Sequence, residues 1–388
     1  MRKELEIYIH IPFCKRKCAY CDFLSGPADD NTIACYVEKL IDEIGAQGDC
    51  NLYNKTTVSS VFFGGGTPTI LNGRQMQRIM KAIKLHFRVA EDAEISVEAN
   101  PGTVNREKLA AYKKAGVNRI SFGLQSAKNE ELKLLGRIHT FEDFLESFWL
   151  ARECGFENIN VDLISAIPGQ SLESWEESLR QVLKLNPEHL SAYSLIIEEG
   201  TPFATLYGEG TEEEEKLPTE EEERRMYWRT KELLEEAGYY RYEISNYAKP
   251  GKECRHNLGY WERKNYLGMG LGSSSLFDNV RWKNIEDLEM YLENSGEPEM
   301  IQKDREILSV TEQMEEFVFL GLRKTRGICM KEFEETFGKS LEECYGENVA
   351  RMQREKLVIM EDGFLRLTEK GIDVSNYVFG EILREKEI

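Results

Sequence analysis

Six short runs rich in apolar and β-branched residues recur along the first half of this chain of 388 residues. They cover residues 6–12, 58–63, 94–99, 119–124, 158–164 and 189–195. Between them lie segments with apolar residues at helical spacing, such as 36–44, 75–87 and 141–154. Strand–helix alternation of this length calls for a parallel sheet, because each helix returns the chain to the same end of the sheet. Several runs end on polar or small residues: Gly64, Glu98, Gln125 and Asp162. Parallel barrels carry their chemistry at those C-terminal strand ends. The expected fold class is α/β, a partial (β/α)6 TIM-like barrel over residues 1–210 with a smaller C-terminal domain.

The rest of the chain divides at composition changes. Residues 211–305 begin with two acidic runs around Pro218, read as a solvated loop and a helix N-terminus that favours carboxylates. An aromatic stretch, 239–247, then leads to a dense segment, 254–276. This middle portion is expected to be a linker and a segment packing on the barrel. Residues 306–388 read as three helices (311–323, 331–337, 341–356) and a hairpin turning at Asp362-Gly363, a winged-helix-like α+β module. Such modules often bind DNA, but this one is not conspicuously basic, which favours a packing or partner role.

Net charge is −19, from 50 basic and 69 acidic residues. No nucleic-acid partner is expected, because phosphate binding needs a basic field. No apolar run reaches the roughly 18 residues that cross a bilayer, and no signal-peptide core is present, so a cytoplasmic location is expected. The nine cysteines are an odd number with three crowded together. In a reducing compartment that favours metal or redox chemistry over disulfides.

Residues 10–23 read HIPFCKRKCAYCDF, placing Cys14, Cys18 and Cys21 in a C-x3-C-x2-C loop directly after a strand. Three thiolates on one short loop ligate three irons of a four-iron cubane and leave the fourth open. Electron-transfer clusters use four cysteines. A zinc site completed by Cys35 or His10 is the competing reading.

The sequence resembles the radical S-adenosylmethionine proteins, whose signature is this spacing with an aromatic residue before the last cysteine, here Tyr20. It is most similar to the oxygen-independent coproporphyrinogen III dehydrogenase-like family. The residues that carry this likeness are His10-Ile11-Pro12-Phe13-Cys14, Gly64-Gly65-Gly66-Thr67-Pro68, Glu98-Ala99-Asn100-Pro101, Ser121 to Ser126, Leu135-Gly136-Arg137, and Asp162 to Gln170. The resemblance spans roughly residues 5 to 280. It implies a [4Fe–4S] cluster on Cys14, Cys18 and Cys21. It further implies S-adenosylmethionine held by Tyr8, Tyr20, Gly65, Gly66, Thr67, Glu98, Gln125, Arg137 and Asp162. The glycines let a backbone approach the ligand's amino group. Arg137 can fork onto a carboxylate, or it is an ordinary helix-surface arginine.

Within that family two features favour a heme-chaperone branch over the dehydrogenase. The dehydrogenase has a further cysteine after the third, where this chain has Asp22 and Phe23. Residues 254–261 read CRHNLGYW, which matches the H-N-x-x-Y-W signature of the heme-chaperone branch. By this resemblance His256, Asn257, Tyr260 and Trp261 contact heme. Histidine is the commonest axial ligand, the two aromatics offer flat area, and Cys254 is a thiolate candidate. Taken without the resemblance, the segment reads as a turn-capping histidine with aromatics at a domain interface. The expected cargo is heme, and the expected partners are heme-accepting proteins, respiratory or membrane-associated ones among them. Coproporphyrinogen III decarboxylation and a radical reaction on another substrate, such as an RNA base, are the alternatives. Whether S-adenosylmethionine is cleaved stays open. The loop at 269–277, MGLGSSSLF, keeps the small residues these families usually have there, but its serines offer no imidazole where they often carry a histidine.

Overall fold

The computed structural model describes residues 3–383, the side chain of Asn51 excepted. Residues 1, 2 and 384–388 of the expected outer segments lie outside the described residues. Six parallel strands stand side by side in sequence order: β1 (Lys3–Ile11), β2 (Thr56–Gly65), β3 (Val89–Ala99), β4 (Arg119–Gln125), β5 (Ile159–Ser165) and β6 (His189–Ser194). Each of the six expected runs lies on one of them. Crossover helices separate them, among them Asp30–Gly48, Gly73–His86 and Phe141–Glu153. Local chemistry fixes the helix starts. Asn72 and Gln75 form a reciprocal capping box, as do Thr140 and Asp143.

Alternation along the strands sorts the two faces of the sheet. Leu5, Ile7, Ile9 and Ile11 are fully buried on the outer face, in one core with Val61, Phe63, Val97, Ile120, Phe122, Val161 and Leu163. The intervening positions are unusually polar. They are Glu6, Tyr8 and His10 on β1, Ser60 and Phe62 on β2, and Glu94, Ser96 and Glu98 on β3. Arg119, Ser121, Asn160, Asp162, His189 and Ser191 continue this face on β4 to β6. The barrel therefore has a polar, hydrogen-bonded lumen.

Residues 211–305 are more than the expected linker. They supply β7 (Tyr240–Arg241), β8 (Asn246–Ala248), β9 (Tyr266–Met269), β10 (Ser274–Phe277), β11 (Val280–Asn284) and β12 (Gln302–Ile307), which extend the same sheet to twelve strands. β8 runs antiparallel to β6 at one edge, and β9 runs parallel to β1 at the other, with Glu6 opposite Tyr266. The sequence signal missed these strands because they are short. The acidic run 220–223 is the first turn of the helix Glu220–Glu236, capped by Thr219.

The C-terminal domain has its own core of Val318, Phe333, Leu341, Val349, Met352 and Leu365. Three helices, Val310–Gly321, Met330–Phe337 and Leu341–Arg354, pack with the hairpin of β14 (Val358–Glu361) and β15 (Phe364–Leu367). β13 (Ile328–Cys329) is the third strand beside β15. Asp362 and Gly363 both take positive φ, as the hairpin turn requires. The domain docks on the barrel by polar contacts: Trp228 Nε1 donates to Asp373 at 2.6 Å, Lys231 to Glu369 at 2.6 Å, and Arg263 to Glu316 at 2.6 Å. No helix among the described residues is long and apolar enough to cross a membrane.

Candidate cluster and cofactor site

The cysteine loop leaves β1 at its C-terminal end and is pinned on all sides. Cys14 N–H donates to the Gly26 carbonyl (2.9 Å), closing the base of the loop. His10 Nε2 lies 3.0 Å from the Leu24 carbonyl and its Nδ1 3.1 Å from the Tyr8 hydroxyl. Ala19 N–H donates to the Leu135 carbonyl, and Ala19 O accepts from Phe203 N–H, both at 3.0 Å. Tyr20 packs 6.3 Å from the Phe203 ring. Lys15, Arg16 and Lys17 are exposed between the first two cysteines. Burial pushes the Cys21 thiol up.

All three thiols are partly exposed and unpaired. Two receive polar neighbours: the Thr67 hydroxyl donates to Cys14 Sγ at 3.4 Å, and Arg137 Nη1 to Cys18 Sγ at 3.2 Å. Among the described residues no three metal-binding side chains converge on one point suited to a single ion. The zinc reading also lacks its fourth ligand, because both His10 nitrogens are engaged and Cys35 is exposed on the helix Asp30–Gly48. Three accessible thiols spread over one loop, each able to take a separate iron, fit a cubane better than a mononuclear site.

Arg137 is no surface residue; it is partly buried behind the cysteine loop. Nη2 donates to Asn100 Oδ1 (2.9 Å) and to the Gly123 carbonyl (2.6 Å), so the fork meant for a carboxylate is occupied by protein groups. Its buried Nε has no protein partner. The glycine run also has a packing reason within the fold. Gly65 has φ +104°, and a Cβ there would lie 2.4 Å from His10 Cε1. A Cβ on Gly66 would lie 2.7 Å from the Phe13 carbonyl oxygen. These glycines let β2 close against the cysteine loop itself. Gly65→Ala is therefore expected to cost about 2–4 kcal/mol from strain and overpacking. Chemical denaturation would measure that loss, with cluster retention falling in parallel.

Glu98 closes the mouth on the next strand. Its Oε2 accepts from Gly65 N–H at 3.2 Å. Burial and the neighbouring Asp162 charge push its carboxyl up to about 8. Asp162, also raised by burial, accepts from Ser121 Oγ (2.9 Å) and Asn160 Nδ2 (2.7 Å). Gln125 ends β4 at φ +77°, where the β4–β5 register shifts. A non-glycine residue held there marks local strain of the kind found at ligand sites. Tyr8, opposite Phe62 in the β1–β2 register, reaches the same mouth beside Gly64.

The H-N-x-x-Y-W segment forms the helix Arg255–Trp261, which plugs the lumen. His256 is 1% exposed. Its Nδ1 lies 2.8 Å from Ser60 Oγ, its Nε2 3.0 Å from the Tyr260 hydroxyl, and its ring stacks on Phe62 at 5.1 Å. Burial, then the Arg119 charge, drives its pKa down to about 3, so the ring is neutral. The expected free axial ligand is thus a buried, fully bonded imidazole. Cys254 is likewise buried, 3.6 Å from Glu94 Oε1. Asn257 is half-buried beside it. Tyr260 and Trp261 instead line an open cavity, together with Tyr8 and His10 of the mouth. Sequence reasoning missed Glu6 and Gly259: a Cβ on Gly259 would lie 2.0 Å from Glu6 Oε1. The alternating polar residues of β1 and the glycine inside HNLGYW were the available signals.

A parallel half-barrel with three thiols at its C-terminal mouth is an architecture of the Radical SAM superfamily. That family's sequence model matches residues 8–182, and that of the HemN C-terminal domain matches residues 308–374. The solved Escherichia coli coproporphyrinogen III oxidase HemN, described as a Radical SAM enzyme, superposes with a TM-score of 0.83. That match covers 98% of this chain and 90% of the other at 24% identity, a likeness of fold. Heme chaperone HemW of Bacillus subtilis is 38% identical over 97% of this chain and 99% of its own length. Heme chaperone HemW of Escherichia coli is 42% identical over 69% of each. The chain belongs to the HemW family within the Radical SAM superfamily.

Proposed function

We propose that this protein is a heme carrier that binds heme beside a cluster site and hands it to acceptor proteins from the cytoplasm. The observation that supports it most is the Arg255–Trp261 helix: it seals the lumen with His256 and turns Tyr260 and Trp261 toward open volume. Cys14, Cys18 and Cys21 hold the [4Fe–4S] cluster. Gly65, Gly66, Thr67, Glu98, Gln125 and Asp162, with Tyr8 and Tyr20 flanking, hold S-adenosylmethionine. When bound, cluster and S-adenosylmethionine supply one-electron reductive cleavage of the sulfonium C–S bond. The chain's own residues orient and shield that pair. Glu98 takes the ligand's ammonium, Arg137 and Thr67 hold the Cys18 and Cys14 thiolates by charge-assisted and neutral hydrogen bonds, and the alternating strand residues keep the lumen hydrogen-bonded. His256 acts through Tyr260, fixing the phenol at the cavity wall, with Asn257 on the same turn.

The test uses anaerobically reconstituted protein, titrated with hemin by absorbance and assayed in the same sample for coproporphyrinogen turnover. Saturable one-to-one binding without turnover, followed by transfer to an apo heme protein, is the expected result. Formation of protoporphyrinogen without specific heme binding would overturn it. The chain's Asp22 and Phe23, in place of a cysteine, already weigh against that enzyme.

A further inference from the structure

The loop joining β9 to β10, residues 270–273, packs behind the cysteine loop and is gripped from one helix. On Asp30–Gly48, Tyr36 and Glu43 lie two turns apart on one face, and both are fully buried. Glu43 Oε2 accepts from Gly270 N–H at 2.8 Å and from the Tyr291 hydroxyl at 2.6 Å, and its Oε1 accepts from Asn284 Nδ2 at 2.7 Å. Donors from the loop, from β11 and from the helix Leu288–Asn294 thus converge on one carboxylate. The Tyr36 hydroxyl joins the same loop to the end of β1. It accepts from Leu271 N–H at 2.9 Å and donates to the His10 carbonyl at 2.8 Å.

The fit is close. Gly270 takes φ +101°, and a Cβ there would lie 2.6 Å from the His10 carbonyl oxygen. At Gly272, φ +65°, a Cβ would lie 2.5 Å from Leu24 Cδ2. The loop therefore seats His10, just before Cys14, and Leu24, just after Cys21. Ser273 Oγ closes the turn by donating to the Gly270 carbonyl at 2.8 Å, which gives that serine its use.

We propose that Glu43 is a positioning residue for the cysteine loop: through Gly270, Leu271 and Tyr36 it fixes His10 and Leu24, and so holds Cys14 and Cys21 at the spacing their ligand needs, without touching a thiol. The assignment rests on the cluster reading above and adds the remote group that keeps the loop in shape. Cys18 is held independently, because Ala19 bonds to Leu135 and Phe203 and Arg137 bonds to the Cys18 thiol.

The network suits an ionised carboxylate. Gly270, Tyr291 and Asn284 all donate to Glu43, so a proton on either oxygen meets a donor. Burial raises its carboxyl to about 7. The titratable groups that face it are Tyr36 on its own helix and Tyr291 on Leu288–Asn294. Burial pushes both well above their ordinary range, so they stay neutral. Releasing the loop takes Gly270 N–H from a carboxylate that stays buried, which raises its pKa further. The grip is therefore complete above about pH 7 and weakens below it. Glutamine mimics the protonated form, so Glu43→Gln should resemble wild type at pH 6 and differ from it at pH 8.5.

The experiment labels the cluster-free full chain with iodoacetamide and reads each cysteine by mass spectrometry at both pH values, for wild type, Glu43→Gln and Tyr36→Phe. Ratios of variant to wild type at one pH cancel the ionisation of each thiol. Exposed Cys50 is the reference for the reagent, and buried Cys254 reports general unfolding. At pH 8.5 Glu43→Gln is expected to label Cys21 and Cys14 roughly 5–10-fold faster, the effect of one charged hydrogen bond on local opening. Cys18 and Cys254 should stay near wild type, and at pH 6 the ratio should fall toward one. Tyr36→Phe, which keeps the carboxylate, should speed Cys21 and Cys14 at both pH values. Unchanged labelling of Cys21 and Cys14 in both variants, a rise shared by Cys254, or a Glu43→Gln ratio equal at the two pH values would overturn the positioning role. The assay contains no cluster, so its outcome is separate from the iron and sulfide content that tests the cluster itself.

Discussion

Replacing Cys14, Cys18 or Cys21 singly by alanine is expected to take iron and acid-labile sulfide down to background after anaerobic reconstitution. The loop offers no spare ligand. His10 is held by Tyr8 and Leu24, and Asp22 and Phe23 occupy solvent-exposed positions beyond Cys21. A cubane that loses one of only three protein thiolates has two anchors left, and no fourth cysteine stands by as it does in electron-transfer sites. The neighbours should behave differently. Arg137→Leu and Thr67→Val remove partners of Cys18 and Cys14 but leave every thiol, so cluster affinity should drop by roughly 10–100-fold and not vanish. Cys35→Ala and Cys50→Ala, both exposed, should change nothing. Full iron and sulfide content in any of the three single alanine variants would remove the cluster assignment at its root.

Much of this site is readable because the residues that build it are locally marked. Cysteine spacing, the glycine run and the strand-end polar residues sit within a few positions of one another, and the strands that carry them are long and apolar on one face. The lumen is less legible. Glu6, Ser60, Glu94 and Arg119 are spread over four strands, and only the folded register brings them round His256. Taken alone, a strand such as ELEIYIHI shows polar alternation that an exposed face would show equally well. Parallel barrels normally fill their interior with branched apolar chains, so the polar face looks like the wet side. The bonding of Arg137 escapes the sequence for a related reason: its position says that it lies near the cysteines, but the bonds to Asn100 and Gly123 depend on where two other strands end. Arg281 and Glu316 are 35 residues apart and in different domains, and nothing in either local sequence announces the other.

Glu98→Gln should make the ligand-free protein more stable and its S-adenosylmethionine binding weaker. In the folded chain burial and Asp162 hold the Glu98 carboxyl at about 8, against an ordinary value of 4.5. The folded state therefore binds this proton more tightly than the unfolded state. Below pH about 4.5 both states are protonated and Glu98 is neutral to stability in this respect. As pH rises toward 8 the unfolded chain ionises and the folded one resists, so stability is lost across that window, by an upper bound of about 3–5 kcal/mol. A glutamine cannot ionise. The variant and wild type should thus unfold at similar denaturant concentration near pH 4.5–5 and separate in the variant's favour by pH 8–9. Binding runs the other way, because a ligand ammonium favours the ionised carboxylate and must expel its proton at neutral pH. Wild-type affinity for S-adenosylmethionine should therefore rise with pH up to about 8, while the variant binds roughly 10-fold more weakly with a flat profile. Equal stability of the two proteins at pH 9 would show that folding does not raise the Glu98 carboxyl above its ordinary range. An unchanged affinity together with the stability gain would leave Glu98 as a strained lumen residue with no contact to the ligand's ammonium.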